Sequence, residues 1–172
     1  MSTHDEVEEH VHHAHDMYEK SVAGCMAVIA ALLAIVSVLG QHYNTEQLLK
    51  QQMASDQWAY YQAKDIRRYS AQIAQDSLGS VRADSKLLGK YKDDSARYRK
   101  QADDIQEKAR ELEHERDADG GRARRFHFGE VFLEIAIVLS ALAILTRRKP
   151  LFYGGLASAI TGVIWAGTGL FG

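Results

Sequence analysis

The sequence predicts an all-α protein with three transmembrane helices and a long extramembrane antiparallel helical hairpin, coiled-coil-like, between the first and second. Three observations carry that expectation. A quarter of the 172 residues are charged, yet three stretches hold almost none of those charges. The region between the first two stretches repeats its apolar residues at spacings of three and four, the period of a helix seam. The only proline, Pro150, lies outside that region, so the strongest helix breaker is missing from it.

Residues 1–20 form an acidic, His-rich amphipathic segment, too poor in Lys and Arg for a secretory signal. The first span, 21–40, is about 20 residues without a charge, enough to cross ~30 Å of hydrocarbon. The second, 128–145, is apolar except for Glu130 and Glu134 near its start, and the third occupies 151–172. A basic loop, 146–150, joins the last two. Three such runs in so short a chain argue for a membrane protein rather than for buried soluble helices.

Short loops carry the strongest positive-inside signal, and Arg147, Arg148 and Lys149 place theirs in the cytoplasm. Arg122, Arg124 and Arg125, just before the second span, point the opposite way. The intervening 41–127 is long enough to count for less, so the hairpin is expected on the outer side.

Within 41–127, Leu88, Tyr91, Ser95, Tyr98, Ala102, Ile105, Ala109 and Leu112 keep the a/d spacing of a coiled-coil seam. Leu48, Ala59, Ile66, Tyr69 and Ile73 keep it in the other arm, interrupted by Gln52, Ser55 and Gln62. A break at Ser77-Leu78-Gly79-Ser80 then sets Leu48 against Leu112, Met53 against Ile105, Tyr60 against Tyr98, Tyr69 against Tyr91 and Ile73 against Leu87. A break at Gly89 ranks second, because it disturbs the cleaner seam. Each arm of about 35 residues reaches about 50 Å. Asp117-Ala-Asp-Gly-Gly121 reads as a stop before the headgroup-level arginines.

The chain from Gln57-Trp58-Ala59-Tyr60-Tyr61-Gln62-Ala63-Lys64 resembles an uncharacterised bacterial membrane family, domain of unknown function 4337. The resemblance also rests on Gly40-Gln41-His42-Tyr43, Arg125-Phe126-His127-Phe128 and Leu145-Thr146-Arg147-Arg148. It extends over nearly the whole chain and is weakest between Ser77 and Lys90. It implies a multi-pass protein of the bacterial inner membrane, with the hairpin then periplasmic, and implies no activity.

His4, His10, His12, His13 and His15 crowd the N-terminus among carboxylates. On a helix, Glu8 with His12 or His12 with Asp16 project together and could bind Zn²⁺, Ni²⁺ or Cu²⁺. The imidazoles could also answer to pH. The blander reading is an amphipathic helix, with Val7, Val11, Ala14 and Tyr18 on one face against the membrane or another helix.

Glu130 and Glu134 share a face of the second span. A carboxylate at the centre of a span costs roughly 2.5–3.5 kcal/mol and tends to be paired or functional. Glu130 belongs to the headgroup region, Glu134 lies deeper, and His42 or His127 could pair with either. Interfacial anchoring competes with an ion pathway. Trp58, Tyr60 and Tyr61 cannot all enter a two-helix seam, so the trio reads as a contact surface for another subunit or partner, with packing within the stem as the alternative. Gly154, Ser158, Gly162 and Ala166 recur every four residues on the third span and admit another helix, either from the same chain or in an oligomer. Ala23, Ala27 and Ala31 do the same on the first.

No Ser-His-Asp order, phosphate loop or Cys-x-x-Cys pair is present, so neither enzyme activity nor a cofactor is expected. A net charge of −2 argues against nucleic acid as a partner. The expected partners are the lipid bilayer and another membrane protein or a further copy of the chain. The leading expectation is a non-catalytic scaffold or accessory subunit. An oligomeric channel or transporter with Glu134 in its pathway, and a metal or pH sensor, are the alternatives.

Overall fold

A computed structural model describes the backbone of residues 3–80 and 85–171, and the side chains of 17–79 and 85–171. The described residues form three helices and no strand: α1 (Thr3–Ser80), α2 (Ser85–Thr146) and α3 (Lys149–Phe171). All three are long and apolar enough to cross a membrane. Arg147 closes α2 with φ of 55°, the left-handed conformation that ends many helices. Pro150 follows in the first turn of α3, where a missing N–H leaves no intrahelical bond unmade.

The chain divides into two compact units: residues up to Asn44 with those from Gly120 on, and Thr45–Asp119. In the first, Ile29 and Val36 of α1, Phe126, Leu133 and Ala136 of α2, and Ala159 and Ala166 of α3 form the core. Phe126 stacks on Tyr43 with ring centroids 5.6 Å apart. The outer surface of the same helices is also apolar, with Ile35, Val138, Leu142, Ile160 and Ile164 exposed. Apolar side chains inside and outside suit a helix group surrounded by lipid rather than water.

In the second unit, segments 45–79 and 85–119 meet through long polar side chains. Lys50 donates to Asp119 at 2.7 Å, Arg116 to Gln51 at 2.7 Å, Trp58 to Glu113 at 2.9 Å and Lys64 to Gln101 at 3.0 Å. On 85–119 the inner row is the expected one: Ala102, Ala109 and Leu112 are buried, and Leu88, Tyr91, Ser95, Tyr98 and Ile105 half-buried.

On 45–79 the expected seam is not the inner one. Leu48, Ala59, Ile66, Tyr69 and Ile73 are exposed, while Ala54 and Ala71 are buried and Lys50, Trp58, Tyr61, Lys64 and Arg68 half-buried. The expected pairing of Leu48 with Leu112 is therefore replaced, and between Tyr60 and Tyr98 stands Lys64, whose ammonium lies over both rings. The reason is physical: Lys, Arg and Trp lay apolar stems along a neighbouring helix while their polar ends find partners, and the apolar spacing ignores that contribution. α1 also runs on to Ser80 and α2 begins at Ser85, beyond the expected break. The expected stop at Asp117–Gly121 is absent too, since α2 is continuous through it. Asp119 bonds to Lys50, so its carboxylate does not compete for backbone N–H groups as a free Asp would.

Candidate interaction surfaces

Among the described residues, Lys50 is ion-paired with two carboxylates. Its ammonium lies 2.7 Å from Asp119 and 3.2 Å from Glu115, and Asp119 is buried. The Asp119 carboxylate holds the Lys50 ammonium above the usual lysine range, with Glu115 adding to the effect and partial burial opposing it. Such a cluster ties two helical segments together.

The aromatic trio is split. Trp58 donates its indole N–H to Glu113 and meets the Tyr61 ring edge-on at 5.6 Å. Both are half-buried, whereas Tyr60 is exposed. Lys64 sits over the Tyr60 and Tyr98 rings, 5.2 and 5.7 Å from their centroids. What segment 45–79 turns outward is the seam Leu48, Ala59, Ile66, Tyr69 and Ile73, with Leu48 61 % and both isoleucines 65 % exposed.

The small residues of α3 divide similarly. Gly162 and Ala166 are buried against α2, Ser158 donates to the Phe132 carbonyl at 2.7 Å, and Gly154 is exposed. The buried row is Gly155, Ala159, Gly162, Ala166 and Gly169. Its alternating steps of four and three follow the 3.6-residue turn, which a strict step of four drifts away from. Gly129 on α2, facing this row, escaped the sequence reading because it stands alone among large residues. A Cβ there would fall 2.7 Å from that of Ala166.

Glu130 lies 3.4 Å from His127. Glu134 is exposed, and it forms no hydrogen bond or ion pair among the described residues. A groove of about 600 Å³ runs between α1 and α3, lined by Gly24, Cys25, Val28, Leu32, Ile160 and Val163 among others. Its walls are almost wholly apolar, which suits an acyl chain or another helix.

A family model described as domain of unknown function (DUF4337) matches residues 18–172. The chain belongs to that family. No curated protein and no solved structure matches it. The DUF4337 match contains Glu130 and Glu134 of α2, the Trp58–Tyr61 run and all of α3. It begins after the N-terminal histidines, so His4, His10, His12, His13 and His15 are no part of what this chain shares with DUF4337. Their side chains lie outside the described residues. Among the described residues, no three His, Cys, Asp or Glu side chains are grouped to hold a metal ion.

Proposed function

We propose that this DUF4337 protein is a non-catalytic integral membrane scaffold or accessory subunit that works by assembling with another copy or with a larger membrane complex. In this reading α1, α2 and α3 each cross the bilayer once. Segments 45–79 and 85–119 form an antiparallel helical hairpin outside it. The observation that carries the proposal is the outward seam of 45–79. Large apolar side chains stay more than half exposed on a segment whose neighbouring residues are charged or polar. A patch of that kind on a surface facing water marks a protein contact. The test is capture of a tagged copy from mildly solubilised host membranes. An untagged copy or one stoichiometric membrane protein should co-purify, and recovery of the tagged chain alone would sink the proposal.

Glu134 favours a second reading, an oligomeric channel or transporter. A carboxylate exposed on a helix that crosses the bilayer is costly unless another subunit or water meets it. Liposome flux that depends on the protein and falls with Glu134→Gln would support this reading. Flux indifferent to that substitution would remove its basis.

A further inference from the structure

We infer that the outward seam of α1 pairs with the same seam of a second copy, as a parallel, in-register, two-stranded coiled coil over residues 48–73. This rests on the assembly reading above and names the partner. The seam has eight consecutive a/d positions, four heptads, with a at Gln52, Ala59, Ile66 and Ile73 and d at Leu48, Ser55, Gln62 and Tyr69. Every one of these side chains is exposed. Three to four heptads suffice for a coiled coil, and the β-branched Ile66 and Ile73 at a favour two parallel strands in the second half of the seam. The seam stops where Asp76 takes the next d position.

The polar positions select the partner and the register. In a parallel, in-register pair each a or d residue meets its own copy, so Gln52 and Gln62 face amides and Ser55 faces a hydroxyl. Side-chain amides and hydroxyls both donate and accept, and so satisfy themselves across a two-fold axis. Reversing one strand about the centre of the seam sets Ser55 against Ile66 and Gln52 against Tyr69, leaving buried polar groups opposed by apolar side chains. The flanking charges agree. The four g–e′ pairs are Gln51 with Asp56, Trp58 with Ala63, Asp65 with Ser70 and Gln72 with Ser77, and none sets like charges together. Leu48 follows the apolar run ending at Gly40 by eight residues, so copies held in one bilayer offer their seams from the same end.

The test is disulfide cross-linking of the full chain in native membranes. Cys25, the single native cysteine, is first replaced by Ser. Ser55→Cys and Gln62→Cys, both at d, are each oxidised with copper phenanthroline, beside Gln57→Cys at f as the control. The expected result is a covalent species at twice 19.3 kDa for both d variants, at least tenfold more than for Gln57→Cys, and lost when Ile66→Asp and Ile73→Asp are added. A dimer in the untreated membrane extract without d-specific cross-linking would overturn the coiled coil and leave the assembly reading standing. A lone chain at 19.3 kDa with no companion protein would overturn both.

Discussion

Gly129 of α2 and Gly162 of α3 approach so closely that a Cβ on either would lie 2.8 Å from the carbonyl oxygen of the other. Neither obstacle is a flexible side-chain end, so accommodation requires the two helices to separate. Close backbone approach is also how helices gain packing in lipid, where no hydrophobic force drives them together. Gly129→Ala or Gly162→Ala should each cost about 1–3 kcal/mol. Gly167→Ala, with nothing within 4 Å of its Cβ, should be neutral or slightly stabilising. Unfolding midpoints in detergent distinguish these outcomes.

Ser158 supplies the polar counterpart of that packing through its bond to the Phe132 carbonyl. Hydrogen bonds between membrane helices average about 0.6 kcal/mol. Ser158→Ala should therefore be much milder than Gly162→Ala by the same unfolding measurement. An equal loss would mean that the hydroxyl, rather than the backbone approach, holds α3 in place.

Lys50 and Asp119 should be coupled. Lys50→Met removes a charged donor from a buried carboxylate and should cost about 2 kcal/mol. Asp119→Asn added to it should cost less than the two single effects together. The lysine is held above its ordinary value by Asp119. Its contribution is thus fully present below the unfolded lysine pKa of about 10.4 and is lost as pH rises through the raised value. Thermal melts by circular dichroism should show a stability fall above that pH which is shallower in Lys50→Met.

Trp58 is held by its hydrogen bond as well as by packing. Trp58→Phe keeps the ring and removes the N–H, leaving Glu113 to water on its half-exposed side; a loss of about 1 kcal/mol is expected. Trp58→Ala should cost more, about 3 kcal/mol or above, through the cavity it opens. The same melts check both, and equal losses would show that packing contributes little.

The three helices apolar enough to cross a membrane were legible because each holds a run of about 20 residues with few charges, a signal that survives any detail of packing. The inner row of 85–119 was legible for a related reason: Ala102, Ala109 and Leu112 are apolar and keep the a/d spacing. Segment 45–79 was misread because two seams compete on it. The apolar one, Leu48 to Ile73, looks like the better core. The inner one is built from Lys50, Trp58, Lys64 and Arg68, whose stems and polar ends have to be counted separately. The face of α3 was half legible, since Gly162 and Ala166 lie on both the four-step row and the true helical row, while Gly154 lies only on the first.

Native mass spectrometry of the protein, purified gently from its own host's membranes, tests most directly whether assembly is what this chain does. The expected result is a discrete complex, either an integer multiple of 19.3 kDa or the chain with one stoichiometric companion. A homogeneous species at 19.3 kDa with no companion would contradict it.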